Sequence, residues 1–112
     1  MESYTIYQIN DDLPEAREAR WSAFKGEVDL QTFKEAYHPV GRARAENLDE
    51  LFEMMNLWQE SPLWEAGGRS VTRRSNVPMK SLSCGDVVMV AKHGTTKHFV
   101  VAPLGFNLLE SM

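Results

Sequence analysis

The chain has little cysteine and no long apolar segment. Its 112 residues include a single cysteine, Cys84, which excludes an intramolecular disulfide and a cysteine-rich zinc site. No apolar run approaches the ~20 residues that a membrane-spanning helix needs, so no membrane partner is expected. The acidic segment 1–4 lacks the basic start and apolar stretch of a signal peptide. These absences predict a protein of the cytoplasm.

The sequence also lacks the residue patterns of common catalytic and metal sites. Gly67-Gly68 does not precede a predicted helix and lacks the lysine spacing of a phosphate-binding loop. His93 and His98 flank a predicted turn, at a spacing unlike that of a zinc finger, and are expected to be partly exposed. We therefore expect no metal, no cofactor and no enzymatic activity. One alternative stays open, because a nucleophilic pair of Cys84 with a histidine would be formed by the fold and not by adjacent positions.

Charge is distributed unevenly along the chain. Residues 1–65 hold 14 acidic and 6 basic residues, a net charge of −8, whereas residues 66–112 hold 2 acidic and 6 basic residues, a net charge of +4. Two interpretations follow. The two parts attract each other within the fold, or the surface has separate acidic and basic faces for partners.

Apolar periodicity predicts a single α+β domain over residues 1–112. β-branched and aromatic residues predict a strand at Tyr4–Ile9, and alanines at helical spacing predict a helix over Pro14–Phe24. A second helix is predicted to begin at Asn47, with Glu50 three residues later in a capping-box arrangement. The two helices are expected to pack on one side of a small antiparallel sheet.

Two further segments are predicted to be extended. Tyr37–Ala45 contains Pro39, which fits only an edge or a bulge within a sheet. The alternation of this strand places Arg42 and Arg44 on one face. Residues 86–102 hold two apolar runs around a polar turn and predict a C-terminal β-hairpin. Residues 27–36 are ambiguous, and a short helical turn before the strand is one interpretation.

A basic stretch and a tryptophan pair are the candidate contact surfaces. Arg69, Arg73 and Arg74 lie among serine, threonine and asparagine with no acidic residue, a composition suited to phosphate contacts. The same composition fits a charged edge strand that resists edge-to-edge aggregation. Trp58 and Trp64 lie in a predicted surface loop, and tryptophan is enriched at interface hot spots. The alternative is that they cover the core between helix and sheet.

The segment 81–88, Ser-Leu-Ser-Cys-Gly-Asp-Val-Val, is followed by a returning strand and Gly105-Phe106. With its basic lead-in, this pattern resembles the C-terminal signature of the YodL-like domain and of related small proteins of bacteriophages and conjugative elements. The segment Asn47-Leu48-Asp49-Glu50 also resembles the start of a helix in these families. Cys84 stands where the family usually has valine, and Pro103-Leu104 replaces a polar-aromatic pair. The resemblance implies a mobile-element accessory protein of the bacterial cytoplasm, and it transfers no activity or catalytic residue.

Two hypotheses of function follow. The first is a phage or mobile-element accessory protein that binds a host protein, as an inhibitor of a host or defence system, through Trp58, Trp64, Arg69, Arg73 and Arg74. The second is a nucleic-acid-binding module that uses Arg42, Arg44, Arg69, Arg73, Arg74 and Lys80. The sequence pI near 5.3 weighs against the second. A monomer and a homodimer paired through a hairpin edge are both compatible with the sequence.

Overall fold

The computed structural model describes residues 1–14, 16–24, 28–57, 67–74, 79–92, 94–103 and 105–109. In these residues one antiparallel sheet of six strands is accompanied by three helices, which confirms the predicted α+β class. The elements in chain order are β1 (Glu2–Ile9), α1 (Ala16–Phe24), α2 (Leu30–Ala36), β2 (Tyr37–Ala45), α3 (Leu48–Leu57), β3 (Ser70–Arg73), β4 (Val87–Lys92), β5 (Thr95–Val101) and β6 (Phe106–Leu108). None of the described helices is long and apolar enough to span a bilayer.

The strand order is β3-β2-β1-β4-β5-β6, so β1 lies inside the sheet between β2 and β4. The predicted hairpin is formed by β4 and β5, which pair from Val87 with Val100 to Lys92 with Thr95. Gly94 in its turn has a φ of 77°, a left-handed conformation that glycine adopts without steric cost. The short strand β6 then adds to β5.

Proline is accommodated in β2 by an irregularity of the sheet. The β1–β2 register shifts between Ile6 and Tyr7, so that Ile6 pairs with Gly41 and Tyr7 with Pro39. Val40 is therefore the extra residue of a β-bulge, and it is fully buried. Pro39 was expected at a sheet edge or at a bulge, and the structure confirms the bulge.

Helix α3 begins at the predicted cap. The Asn47 Oδ1 atom accepts a hydrogen bond from the backbone N–H of Glu50 at 2.8 Å. The Glu50 carboxylate accepts in return from the N–H of Glu46 at 3.1 Å, one residue earlier than a standard capping box would place this bond. The helix buries Leu51, Met54 and Met55 against the sheet.

Apolar residues line both faces of the sheet, and each face has its own core. On one face α3 packs over a cluster that includes Tyr4, Ile6, Val88 and Val101. On the other face α1 and α2 contribute to a cluster of Ala19, Phe33, Ala36, Tyr37, Val87, Val100 and Leu109, with Tyr7 and Ile9 packed against it. The helices thus lie on both faces, and the sequence analysis had expected one side. Consecutive apolar residues in β4 and β5 explain the difference, because neighbouring positions of a strand point to opposite faces and both need cover.

The turn before β4 is tied closely to α1 and β2. Gly85 has a φ of 91°, and a Cβ atom at this position would lie 2.2 Å from the Cβ of Ala23. The Tyr37 hydroxyl donates a hydrogen bond to the Gly85 carbonyl at 2.5 Å. This position therefore requires glycine both for its backbone conformation and for the close approach of α1.

Candidate functional site

Strand β2 places two arginines on an exposed half of the sheet. Arg42 and Arg44 are exposed, while Ala43 and Ala45, which alternate with them, are buried against the core under α3. The prediction that both arginines share one face is confirmed. Because the strand rises about 3.4 Å per residue, the two side chains emerge about 7 Å apart.

The neighbouring strands surround these arginines with hydroxyl groups. Arg42 pairs with Thr5 of β1 and with Thr72 of β3, and Arg44 pairs with Ser3 and Ser70. Residues paired across an antiparallel ladder point to the same face, so the six side chains form one surface. We call it the arginine face, and its members are Ser3, Thr5, Arg42, Arg44, Ser70, Thr72, Met89 and Ala91.

The arginine face continues the sheet surface that α1 and α2 cover elsewhere. Along β1, Tyr7 and Ile9 pack into the core with these helices, whereas Thr5 and Ser3 extend beyond it on the same face. Among the described residues, neither apolar cluster includes a member of the arginine face. The backbone that carries the arginines is fixed by hydrogen bonding on both sides of β2.

Two further arginines border the same surface. Arg73 and Arg74 are exposed at the end of β3, and the Arg74 N–H donates to the Val40 carbonyl at 2.8 Å. Together with Arg42 they line a groove of about 690 Å³ whose other walls include Tyr7 and Met89. We call this the Tyr7 groove. It adjoins the arginine face, since Thr5, Arg42, Thr72 and Met89 belong to both.

The electrostatic character of this surface is uniformly positive among the described residues. The residues of the arginine face and of the Tyr7 groove include no aspartate or glutamate. In the part of the chain that the structure describes, Arg42, Arg44, Arg73 and Arg74 take part in none of the ion pairs. Among the described residues, no carboxylate neutralises these guanidinium groups.

Arg69 and Lys80, two other basic residues named in the sequence hypotheses, form ion pairs with acidic residues. The Arg69 Nε atom donates to the Glu50 carboxylate at 2.5 Å, and its Nη2 lies 3.9 Å from Glu46. This hydrogen bond lowers the pKa of Glu50 and raises the pKa of Arg69. Lys80 lies 3.2 Å from an Asp11 carboxylate oxygen and borders a different cavity. Arg69 and Lys80 therefore form ion pairs away from the face that Arg42 and Arg44 share.

The predicted contact surface included two tryptophans, whose positions are not among those that the structure describes. Trp58 and Trp64 both lie outside the described residues. Of the five residues in the host-protein hypothesis, Arg73 and Arg74 are the two that the structure both describes and leaves without a described ion pair.

A polar cavity of about 570 Å³ lies beside the 81–88 segment. The Asp86 Oδ2 atom accepts hydrogen bonds from the Ser83 N–H at 2.9 Å and from the Gln8 side-chain amide at 3.1 Å. The Gln8 amide also donates to the Lys80 carbonyl and accepts from the Lys80 N–H, each at 3.0 Å. Burial raises the pKa of Asp86 to about 6, against the opposing effect of these hydrogen bonds. Ser83 and Asp86 thus form the turn before β4, and Gln8 fixes this turn to β1.

The same cavity brings Cys84 and His38 to a common wall. Burial and the nearby Asp86 carboxylate raise the pKa of the Cys84 thiol. A nucleophilic cysteine needs the opposite shift, because the thiolate is the reactive form. The direction of this pKa shift does not favour Cys84 as a nucleophile.

His98 differs from its expected exposure. It is buried, with 6% of its surface accessible, and its ring contacts Tyr7 and Phe33. Burial lowers the pKa of His98, which favours the neutral imidazole. His93 lies outside the described residues. Among the described residues, no group of three or more histidine, cysteine, aspartate or glutamate side chains is arranged to hold a metal ion.

Comparisons with protein-family models, with curated proteins and with solved structures give no match. The resemblance to the YodL-like domain stays a prediction, and the function must be argued from the surface itself.

The β1 and β4 parts of this surface were not predicted from the sequence. Thr5, Tyr7 and Met89 carry no charge and no motif, and they join the arginines only because β1 lies between β2 and β4. The alternation of β1 does separate Thr5 and Tyr7 from the buried Tyr4 and Ile6. That pattern could have indicated their shared face, but not the strand beside it.

Proposed function

We propose that this protein is a non-catalytic binding module that contacts the phosphate groups of nucleic acid through the arginine face. One observation carries the proposal. Arg42 and Arg44 share one face of the sheet, Arg73 and Arg74 line the groove that adjoins it, and none of the four has a described ion pair. The described residues of the face and the groove include hydroxyl groups and no carboxylate. Arginine and short hydroxyl side chains supply most protein contacts to phosphate oxygens.

The acidic composition does not conflict with this proposal. The net charge of −4 is a property of the whole chain, whereas phosphate responds to the potential close to the surface that it approaches. Arg42 and Arg44 come from the acidic part of the sequence, and the sheet joins them to the cations of the basic part. One interpretation of the charge distribution was a surface with a separate basic face for a partner. In this proposal, the arginine face is that basic face.

The proposal is tested by fluorescence anisotropy with labelled single-stranded and duplex oligonucleotides over a salt series. We expect binding that weakens steeply between about 50 mM and about 200 mM salt, because phosphate contacts release counterions. The double variant Arg42→Gln/Arg44→Gln should bind more weakly. Its salt slope on a single strand should be smaller by about 0.7 for each phosphate that the protein no longer neutralises. No binding at low salt would refute the proposal.

Lys97→Gln is the matched control. Lys97 is exposed and pairs with Val90, and Val90 packs with the core on the opposite face, so the variant removes one positive charge away from the arginine face. Equal reductions of affinity in Lys97→Gln and in the single variant Arg42→Gln would show that net charge, and not this surface, sets the affinity.

Binding of a host protein, as proposed from the resemblance to mobile-element proteins, is the second candidate. The observation that favours it is an apolar area on the α3 side, where Phe52 is 39% exposed and contacts the half-buried Phe106. The exposed Leu108 lies two residues further along β6. A pull-down from bacterial lysate distinguishes the candidates. A single protein retained after nuclease and moderate salt favours this one, and capture that nuclease abolishes favours nucleic acid.

A further inference from the structure

The Tyr7 groove combines three arginines with one aromatic ring. Arg42, Arg73 and Arg74 border it, and Tyr7 and Met89 supply its less polar walls. Tyr7 is half-buried, so part of its side chain reaches the groove while the rest packs into the core of α1 and α2. The groove lies where the covered half of the sheet surface meets the open half.

The Tyr7 ring is held in a fixed position by its neighbours. Its centroid lies 5.0 Å from that of Phe33 in an edge-to-face contact and 6.2 Å from that of His98. Edge-to-face pairs at such distances are favourable, so this ring is supported before any ligand arrives. A fixed aromatic ring loses little conformational entropy on binding, and this favours its use as a stacking surface.

We infer that the Tyr7 groove holds one unpaired nucleotide, with its base against Tyr7 and Met89 and its flanking phosphates at Arg42 and Arg74. This inference rests on the proposed function and specifies the ligand further, as a single strand whose base is free to stack. A base in a duplex is covered by its neighbours above and below, so a duplex offers only its phosphates to this surface. The phosphates of one nucleotide unit lie on either side of its sugar and base, which matches a groove with cations at its rim and an aromatic ring in its wall.

The test compares ligands that carry equal phosphate charge with and without bases. A fluorescein-labelled deoxythymidine oligonucleotide and an abasic oligonucleotide of the same length are titrated with the wild-type protein at low salt. Stacking of one base on an aromatic side chain predicts about 5- to 150-fold tighter binding of the base-containing strand. Equal affinities would overturn the inference and leave the phosphate contacts of the proposed function standing. Absence of binding by both strands would overturn both.

Tyr7 variants assign the effect to this ring. Tyr7→Phe should keep the preference for the base-containing strand, and Tyr7→Leu should lose most of it while binding of the abasic strand stays within about twofold. Phe52→Leu, which alters an exposed aromatic residue on the opposite face, is the matched control and should keep the preference. Because Tyr7 also packs on Phe33, thermal unfolding of each variant is measured alongside. A preference that survives in folded Tyr7→Leu would refute the role of Tyr7.

Discussion

Replacement of Asp86 by asparagine should stabilise the protein at neutral pH and leave it unchanged in acid. Asp86 is largely buried, and burial raises its pKa from the ordinary value of 3.8 to about 6. The proton is thus held more tightly in the folded chain than in the unfolded chain. At 1.36 kcal/mol per unit, this difference corresponds to about 3 kcal/mol of folding free energy.

The sign follows from which state binds the proton. Below about pH 4 the carboxyl group is protonated in both states, and its favourable contribution to folding is fully present. As the pH rises through about 6 the folded protein must ionise a buried group, and that contribution is lost. Asparagine does not ionise, and its carbonyl oxygen can accept the hydrogen bonds that Asp86 Oδ2 receives from Ser83 and Gln8. The free energy of unfolding of Asp86→Asn should therefore exceed that of the wild type by a margin that grows by about 2 kcal/mol between about pH 4 and pH 7.

The difference in free energy of unfolding between Asp86→Asn and the wild type is measured over this pH range by urea denaturation, with circular dichroism as the signal. Asp12→Asn changes an exposed aspartate and controls for the loss of a negative charge. Asp86→Ala should be destabilised even in acid, because the Ser83 N–H and the Gln8 amide would lose their acceptor. The reasoning is refuted if the margin between Asp86→Asn and the wild type is independent of pH or shrinks as the pH rises. Either result would mean that the hydrogen bonds to the carboxylate outweigh the cost of its burial.

Three further predictions concern the helix cap, the glycine turn and the ion pair of Arg69. Asn47→Ala should lower the free energy of unfolding, measured by urea denaturation, by about 1 kcal/mol. Asn47→Ser should keep most of the wild-type free energy of unfolding, because serine also caps helices. Gly85→Ala should lower it by more than about 1 kcal/mol, since it combines a disfavoured φ with a clash against Ala23, and an unchanged urea midpoint would contradict this geometry. Arg69→Gln should leave oligonucleotide affinity within about twofold in the anisotropy assay, because Arg69 is bound to Glu50, and a reduction as large as that of Arg42→Gln would show that Arg69 also contacts the ligand.

Local sequence patterns predict the elements whose hydrogen bonds are also local. The cap of α3 needs only Asn47 and a residue three positions later, and the β4–β5 hairpin needs only a turn between two apolar runs. Helix α2 illustrates the limit of such patterns. Asp29 caps it by accepting from the Thr32 N–H at 2.7 Å, but the helix has seven residues and runs directly into β2, so propensity alone left residues 27–36 ambiguous.

Contacts between distant positions of the chain could not be predicted in the same way. The alternation within β2 was enough to place Arg42 and Arg44 on one face, but the identity of the strands beside them depends on the sheet order. The same holds for Gln8 and Asp86, which both line the polar cavity and are joined by a hydrogen bond. No sequence pattern indicates which residue the side chain of a glutamine within a strand will hydrogen-bond. Arg69 belonged to the basic stretch by composition, and its pairing with Glu50 depends on the position of α3 beside β3.

The central position of β1 has a consequence for how the chain folds during synthesis. One side of β1 pairs with β2, which follows it closely, whereas the other side pairs Tyr7 with Val87 and Tyr4 with Val90. At translation rates of about 5 to 20 residues per second, the β4 residues emerge from the ribosome on the order of seconds after β1. Until then β1 and β2 expose an unpaired edge with apolar side chains on both faces, which is the kind of edge that pairs with other chains. Closure of the sheet by β4 joins its most distant segments, so it should limit the folding rate and end the period in which the nascent protein is most prone to aggregate.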